Sequence, residues 1–306
     1  MADEAVRVRG LRKRYAGGVE ALRGLDLCVQ TAQVYGVVGP DGAGKTTLMK
    51  VLAGVVSFQA EEARVLGRPV PEGLSEVRHH IGYLPQRFSL YGDLTVEENL
   101  DFYAALYPPD PEGRRTKQEL LEMIGLDPFR DRMAADLSGG MKQKLALLCN
   151  LVHRPSLLLM DEPTVGVDPV SRREFWTLVF ELQRGGLTVL ASTPYMDEAE
   201  QFDRVALLSE GRLLREGTPE EIRASVPGVV LELGCEQPFQ AARCLEGTQG
   251  IQDVQLFGDR LHLFAAQDAP GLRQALEERL GQAGLRIQRL RVVPFSIEDV
   301  FLRLTA

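Results

Sequence analysis

The spacing of apolar residues divides the chain into predicted strands and helices. Apolar and polar residues alternate through Leu25, Leu27 and Val29, which is the pattern of a half-buried strand. Continuous apolar runs at residues 34–38 and 157–160 are instead typical of strands buried on both faces, which favours an α/β fold. Further strands are predicted at residues 6–8, 63–66, 81–86, 187–191, 205–208 and 213–214.

Helices are predicted between these strands from capping signals and from apolar residues three or four positions apart. Two capping boxes, in which a threonine precedes a glutamate by three residues, open helices at Thr95 and Thr116. The predicted helices are residues 47–53, 95–106, a helix from 116 that Gly125 closes, a helix with apolar positions Met141, Leu145, Leu148 and Val152, residues 171–183, and a helix that starts at Thr218.

The last 80 or so residues predict a second domain, because six elements follow Pro227 in the order β-α-β-β-α-β. That order is the ferredoxin-like one, and a final amphipathic helix covers residues 297–304. We therefore predict an α/β domain at residues 1–225, with a helical subdomain at about residues 87–155. Residues 226–306 form a small C-terminal α+β domain of regulatory or dimer-stabilising kind. The predicted C-terminal elements are residues 229–233, 239–245, 251–257, 261–264, 271–280 and 285–293.

Composition restricts the class of protein further. The 306 residues are 44% apolar and 25% charged, as in soluble globular proteins. Acidic residues outnumber basic ones by 43 to 35, which argues against nucleic acid as a partner held by general electrostatics. No apolar run approaches the roughly 18 residues of a membrane span, no signal peptide opens the chain, and the four cysteines lack C-x-x-C spacing. We expect a cytoplasmic protein with reduced cysteines and without a cysteine metal site.

Residues 39–47 carry the strongest chemical signal, because they fill the pattern G-x-x-x-x-G-K-[ST] between a predicted strand and a predicted helix. Glycine lets backbone N–H groups curl around phosphate oxygens, and the helix N-terminus adds a positive dipole end. Lys45 can reach the β- and γ-phosphates, and the Thr46 hydroxyl can bind Mg²⁺. A chance glycine-rich turn is the alternative, and the flanking elements argue against it. The candidate binding residues are Gly39, Pro40, Asp41, Gly42, Ala43, Gly44, Lys45, Thr46 and Thr47.

Two further motifs suit the hydrolysis of a nucleotide. Asp161 and Glu162 end the apolar strand at residues 157–160, where Asp161 can hold Mg²⁺ and Glu162 can polarise the attacking water. A solvated strand end is the alternative for this pair. Ser138, Gly139 and Gly140 begin a predicted helix and offer a second anion-binding end, although such a sequence can also be only a helix cap.

In this order, the motifs resemble the ATP-binding subunits of ABC transporters over almost the whole chain. The resemblance identifies residues 39–47 as the P-loop, residues 137–141 as the signature motif and residues 157–162 as the Walker B strand. It further implies that Gln86 is the Q-loop glutamine that senses metal and γ-phosphate, that Asp168 is the D-loop aspartate, and that Tyr15 stacks on adenine. Residues 93–100 and 296–301 are similar to drug-exporter-type subunits of bacteria. In that family two ATP-binding domains meet head to tail, so Ser138 serves the opposite site.

Three departures from the family pattern are present. Pro194 stands where the family has a histidine that contacts the γ-phosphate, and proline has neither a side-chain donor nor a backbone N–H. Asp41 replaces the usual asparagine or serine, and its carboxylate is expected to point away from the triphosphate. Residues 58–61 replace a proline- and glycine-bearing surface turn. The first two departures resemble the N-terminal half of tandem drug-exporter ATPases, whose own site is often degenerate.

We therefore predict an ATPase subunit of a bacterial drug- or lipid-type ABC exporter that uses ATP and Mg²⁺. Its partners are membrane permeases and a second ATP-binding domain, either a copy of itself or a paralogue, and it lies on the inner face of the membrane through the permease. Two alternatives stay open. One is a non-transport ABC ATPase that acts on ribosomes or DNA, and the other is a regulatory ATP-binding subunit with little hydrolysis.

Overall fold

The two apolar runs form strands on either side of a third buried strand near the centre of a six-stranded sheet. In the computed structural model, which describes residues 4–87, 90–107, 117–268 and 270–305, the chain forms two units, Met1–Pro219 and Glu220–Ala306. Residues 88 and 89, and Thr116 of the second predicted capping box, lie outside the described residues. Among the described residues, no helix combines the length and apolarity needed to cross a membrane.

The first unit alternates strands and helices, as the apolar pattern predicts. Its elements are β1 (Glu4–Arg14), β2 (Glu20–Gln30), β3 (Val34–Val38), α1 (Lys45–Leu52), β4 (Glu62–Val65), β5 (Arg68–Pro69), α2 (Leu74–Val77), β6 (Ile81–Leu84), α3 (Val96–Ala105), α4 (Lys117–Met123), α5 (Gly139–Cys149), β7 (Leu157–Asp161), α6 (Pro169–Arg184), β8 (Thr188–Thr193), α7 (Met196–Ala199), β9 (Arg204–Ser209) and β10 (Arg212–Gly217). A short helix, α8 (Pro219–Ala224), begins at the division between the units, as its proline-containing start predicts.

The central sheet has the strand order β10-β9-β3-β8-β7-β6, and all neighbours pair in parallel except β9 with β10. Every residue of β3, β7 and β8 is buried, which explains their continuous apolar runs. A second, antiparallel sheet has the order β2-β1-β4-β5, and its apolar face shares one core with α1, β3 and β7. The carboxyl ends of β3, β7 and β8 therefore meet at one edge.

The Thr95 capping box is confirmed. The Glu98 N–H donates to the Thr95 hydroxyl at 3.1 Å, and the Thr95 N–H donates to the Glu98 carboxylate at 2.8 Å. Two predicted boundaries are wrong. Helix α1 begins at Lys45 and not at residue 47, because Gly44 ends the preceding loop in a left-handed conformation (φ 104°). Strand β1 continues to Arg14, through the basic residues, because it pairs with β2 along that length.

The second unit has the predicted ferredoxin-like arrangement. Its strands β11 (Val229–Cys235), β12 (Ile251–Phe257), β13 (Arg260–Ala265) and β14 (Ile287–Val293) form an antiparallel sheet of order β12-β13-β11-β14, and two helices pack on one apolar face of it. Asp299 is buried at the start of the last helix, where it accepts hydrogen bonds from Ser296 and contacts His262 at 2.7 Å. The elements are β11 (Val229–Cys235), α9 (Pro238–Leu245), β12 (Ile251–Phe257), β13 (Arg260–Ala265), α10 (Pro270–Gln282), β14 (Ile287–Val293) and α11 (Ile297–Thr305).

Candidate functional site

A cavity of about 660 Å³ lies at the sheet edge where the β3–α1 loop meets the segment that follows β7. Its size is within the range of small-molecule sites. Nine of the residues predicted from the sequence line it, together with residues of the β1–β2 segment and Glu210. These nine are Tyr15, Asp41, Gly42, Gly44, Lys45, Thr46, Thr47, Gln86 and Glu162.

Glycine is required at two positions of the loop, because backbone atoms of other segments lie very close to them. A Cβ atom on Gly39 would lie 2.1 Å from the Leu208 carbonyl oxygen, and one on Gly44 would lie 2.5 Å from the Ala21 carbonyl oxygen. Gly42 also has a left-handed conformation (φ 80°), with open space where a side chain would be. Pro40 closes the turn, because its carbonyl accepts the Ala43 N–H at 3.2 Å. The loop backbone therefore faces the cavity with little side-chain cover, as a phosphate site requires.

Lys45 projects from the first turn of α1 and is almost fully buried, with 3% of its side chain exposed. Its ammonium donates to the carbonyl oxygens of Gly39 at 2.7 Å and Pro40 at 3.0 Å, and it contacts Glu162 Oε1 at 3.0 Å. A buried ammonium needs such partners, since an unpaired charge is costly in this environment. All three acceptors carry negative charge or partial charge, and phosphate oxygens offer the same chemistry.

Asp161 lies at the end of β7 and is held by two hydroxyl groups. Its Oδ1 atom accepts hydrogen bonds from Thr46 Oγ1 at 3.0 Å and from Ser192 Oγ at 2.8 Å. Burial raises the pKa of Asp161, and the two hydroxyl donors oppose that effect. Sequence reasoning missed Ser192, and its position at the end of the strand before Pro194 is the signal that could have identified it.

Glu162 adopts a left-handed backbone conformation (φ 51°), which is unfavourable for a residue with a side chain. Its N–H donates to both the carbonyl oxygen of Ser192 at 3.1 Å and the hydroxyl of Ser192 at 3.0 Å, which holds the backbone in place. Gln86 Nε2 donates to Glu162 Oε2 at 2.9 Å. The carboxylate, 6% exposed, is therefore fixed at the cavity between an ammonium and an amide.

Thr46 and Asp161 bring two oxygen donors together that suit Mg²⁺. A hydroxyl and a carboxylate oxygen are the hard donors that this ion prefers, and Mg²⁺ usually binds one or two protein oxygens together with phosphates and water. Among the described residues, no group of three or more histidine, cysteine or acidic side chains could hold a metal alone. The residues present therefore fit an ion shared with a bound triphosphate.

Tyr15 lies at the mouth of the cavity, where 37% of it is exposed. Its hydroxyl is 3.4 Å from Thr47 Oγ1, and the Lys13 ammonium is 4.8 Å from the ring centroid. An exposed aromatic ring beside the loop is suited to stacking on a planar base. Asp41 is also exposed while it lines the cavity.

Ser138, Gly139, Gly140 and Asp168 do not line this cavity, as far as the described residues show. Ser138 is the N-cap of α5, and its hydroxyl accepts the Met141 N–H at 3.3 Å. Asp168 caps α6 by accepting the N–H groups of Val170 and Ser171. The two caps are near each other, because a Cβ on Gly140 would lie 2.5 Å from the Ser171 side chain.

Pro194 directly follows β8, and the carbonyl of the preceding Thr193 accepts the Gly39 N–H at 3.4 Å. No histidine lines the cavity in the described part of the chain. His153 stacks on Tyr107 at 3.7 Å and contacts the Ile81 carbonyl oxygen at 3.1 Å. His262 belongs to the second unit, and His79 and His80 lie in a short 3-10 helix before β6.

Comparison with known proteins shows which family the chain resembles. Residues 22–165 match the ABC transporter family. The chain is 47% identical over 230 residues to the probable multidrug ABC transporter ATP-binding protein YbhF of Escherichia coli, and the match covers 74% of this chain but 40% of that protein. It is 36% identical to the daunorubicin/doxorubicin resistance ATP-binding protein DrrA of Streptomyces peucetius, with 98% and 92% covered.

Solved structures agree. CbiO1 of Clostridium perfringens, part of an ABC transporter complex, superposes with a TM-score of 0.64 at 28% identity, covering 73% of this chain and 92% of that one. A dimeric ATP-binding cassette bound to ADP and Pi has a TM-score of 0.61 at 26% identity, covering 70% and 98%. The chain therefore belongs to the ATP-binding proteins of the ABC transporter family.

Proposed function

We propose that the chain binds Mg-ATP in the cavity beside Lys45 and hydrolyses it as the ATPase subunit of a bacterial drug- or lipid-type ABC exporter. The observation that carries this proposal is the meeting of Lys45, Thr46, Gln86, Asp161 and Glu162, from three separate segments, around one cavity. Two relatives are named for multidrug transport and for daunorubicin/doxorubicin resistance. A third, 35% identical over 313 residues, is named for Nod factor export.

Each residue has a role that follows from its charge and contacts. The Lys45 ammonium would exchange its carbonyl acceptors, Gly39 and Pro40, for phosphate oxygens. Glu162 would orient the attacking water, and Gln86 would hold that carboxylate in position through its amide. Thr46 and Asp161 would hold Mg²⁺, which neutralises phosphate charge when bound.

Hydrolysis is tested by Glu162→Gln in the whole chain, with ATP binding measured by calorimetry and turnover measured by phosphate release. We expect turnover to fall by roughly 10²- to 10⁴-fold, because the base is lost, while ATP still binds. A matched control is Glu76→Gln, since Glu76 is also ion-paired in the same unit, with Arg68 at 3.1 Å, but is exposed. Unchanged turnover in Glu162→Gln, or no ATP binding by the unmodified chain, would contradict the proposal.

A second ATP-binding domain would complete the site, with the Ser138 and Asp168 end of each domain facing the P-loop of the other. This part is supported by the position of both caps outside the chain's own cavity and by the dimeric relative. The second domain could be a copy, a paralogue or another part of a longer protein, because the chain spans 40% of the length of YbhF. Ser138→Arg is expected to stop hydrolysis in a mixed complex while this chain's own ATP binding persists.

The permease is expected to bind beside Gln86 and so to hold the chain at the inner face of the membrane. Tyr91, five residues after Gln86 in the chain, and Phe102 are apolar side chains with 44% and 38% of each residue exposed. Tyr91 and Phe102 pack edge to face, with centroids 4.5 Å apart, so packing within the subdomain is the competing explanation. Cross-linking from Leu90→Cys in cells should capture a membrane protein, and capture of ribosomal proteins would favour the non-transport alternative.

Pro194 suggests that the chain's own site turns ATP over slowly. A general-acid or positioning group contributes roughly 10²- to 10⁴-fold, and proline supplies neither a side-chain donor nor an N–H. Pro194→His should therefore raise the ATPase rate of the isolated chain. Turnover of several ATP per second by the unmodified chain, unaltered in Pro194→His, would refute this part and would exclude the regulatory alternative with little hydrolysis.

A further inference from the structure

Glu198 is a charged side chain in the core that has no role in the site as described so far. It lies on the short helix α7, four residues after Pro194, and only 2% of it is exposed. Its Oε1 atom accepts a hydrogen bond from Thr164 Oγ1 at 2.6 Å, and its Oε2 atom accepts one from Thr193 Oγ1 at 2.5 Å. The guanidinium of Arg172 is 3.8 Å from the same carboxylate.

The two threonines belong to two segments of the site: one carries the carboxylates of Asp161 and Glu162, and the other carries Ser192. Thr164 follows Glu162 by two residues, and Thr193 follows Ser192, whose hydroxyl bonds both Asp161 and the Glu162 N–H. Both threonine side chains are at most 1% exposed. Glu198 therefore joins these two segments, and it is not among the described residues that line the cavity.

The same network closes the turn that contains Pro194. The Tyr195 N–H donates to Thr193 Oγ1 at 3.0 Å, so the Thr193 hydroxyl bridges that N–H and the Glu198 carboxylate. Arg172 lies 4.5 Å from the centroid of the Tyr195 ring and contacts Asp197 at 3.3 Å. The turn is therefore held at Thr193, before Pro194, and at Tyr195 and Asp197, after it.

Arg172 extends the network to the start of α6. The Arg172 N–H donates to the carbonyl of Asp168, the N-cap, at 2.9 Å. A displacement of that helix start would therefore move the guanidinium that faces Glu198 and Tyr195. Contacts therefore connect Asp168 to the segment that follows Glu162, by way of Arg172 and Glu198.

Energy alone does not explain a carboxylate at this position. A buried charge with its partners is often no more stable than well-packed apolar residues of similar volume, whereas the loss of one partner is strongly destabilising. Buried polar networks in which each member is satisfied do, however, select one arrangement of the segments they join. That property is useful where two carboxylates must be held in register.

We propose that Glu198 is a positioning residue, which, with Arg172, locks the Pro194 turn to the segment after Glu162 and couples both to the Asp168 end of α6. The proposal rests on the proposed ATPase function, because the geometry it preserves is that of Asp161 and Glu162.

The test compares substitutions that differ by one hydroxyl group. Thr193→Val and Thr164→Val each remove a donor to Glu198 at nearly constant volume, and Thr193→Ser and Thr164→Ser keep it. Glu198→Gln removes the charge, and Glu76→Gln is its matched control at an exposed ion pair. ATP affinity, kcat, KM and the melting temperature are measured for each whole chain.

We expect Glu198→Gln and both valine variants to lower kcat by about tenfold or more, since small misplacements of catalytic groups have effects of this size. Their ATP affinity should stay within about twofold, because the P-loop and Lys45 are unchanged. Both serine variants should keep kcat close to that of the unmodified chain. Equal losses in the serine and valine variants, or a change in affinity alone, would overturn the proposal.

Amide hydrogen exchange gives a second readout that needs no hydrolysis. Thr164→Val should accelerate exchange of the Tyr195 N–H by about fivefold or more, although 31 residues separate the two along the chain, and Thr164→Ser should not. Unchanged Tyr195 exchange in Thr164→Val would refute the coupling even if the chain hydrolyses ATP. Conversely, a chain that binds no ATP but shows this exchange pattern would refute the proposed function and leave the coupling supported.

Discussion

The buried contact between Lys45 and Glu162 makes an asymmetric prediction about stability without nucleotide. Lys45→Met removes the ammonium and leaves the Glu162 carboxylate, 6% exposed, with the Gln86 amide as its one remaining partner among the described residues. Glu162→Gln removes the carboxylate but leaves Lys45 with two carbonyl acceptors, those of Gly39 and Pro40. The first variant should therefore be the less stable one.

The magnitudes follow from what each variant leaves unpaired. Breaking a buried ion pair costs about 3–5 kcal/mol, and the remaining Gln86 contact argues for the lower end, about 3 kcal/mol for Lys45→Met. Glu162→Gln should cost about 1–2 kcal/mol, because the buried ammonium keeps hydrogen-bond acceptors. In the double variant no charge of the pair remains, so its free energy of unfolding should lie within about 1 kcal/mol of the unmodified chain.

Urea denaturation followed by tryptophan fluorescence measures this, since the chain has 1 tryptophan, Trp176, and it is 2% exposed on α6 of the same unit. For a unit of this size, about 3 kcal/mol corresponds to a fall in Tm of roughly 6–12 °C. Calorimetry in parallel should show that Lys45→Met has lost ATP binding. The reasoning is refuted if the two single variants are equally stable, or if their effects add in the double variant.

Tyr15→Ala should weaken ATP binding by about 1–3 kcal/mol, as loss of a stacking ring does, while Tyr15→Phe should bind nearly as the unmodified chain; equal binding by all three in calorimetry would contradict the stacking role. The hydrogen bond from Arg291 lowers the pKa of Glu232 from 4.5 to about 2. The contribution of Glu232 to the stability of the second unit should therefore be fully present above about pH 4.5 and be lost as the pH drops towards 2, and Glu232→Gln should reduce this loss in urea titrations followed by circular dichroism. Ser192→Ala removes a hydroxyl shared by the segments of Asp161 and Glu162, and should lower the free energy of unfolding by about 1–3 kcal/mol; a loss below 0.5 kcal/mol by the same tryptophan assay would contradict the role assigned to that hydroxyl.

The sequence by itself determined the features that depend on neighbouring residues. Gly42 and Gly44 adopt left-handed conformations that favour glycine, so the glycine pattern marks the loop locally, and the Thr95–Glu98 capping box is complete within four residues. The continuous apolar runs of β3 and β7 were sufficient to predict strands buried on both faces, because a strand with no solvent-facing side lacks the usual alternation of polar residues. The order of the elements after Pro227 likewise indicated a ferredoxin-like unit, which the strand order confirms.

Only the tertiary structure decided the contacts between segments far apart in the chain. Thr46 meets Asp161 across 115 residues and Gln86 meets Glu162 across 76, and both meetings depend on which strands are neighbours in the sheet. The left-handed backbone of Glu162 is unfavourable for a glutamate. It is held because the Glu162 N–H donates to Ser192, 30 residues further along the chain. The burial of Glu198 could not be predicted either, because a glutamate on a four-residue helix carries no local signal for burial. Its charge is stabilised by the hydroxyl groups of Thr164 and Thr193 and lies near the guanidinium of Arg172.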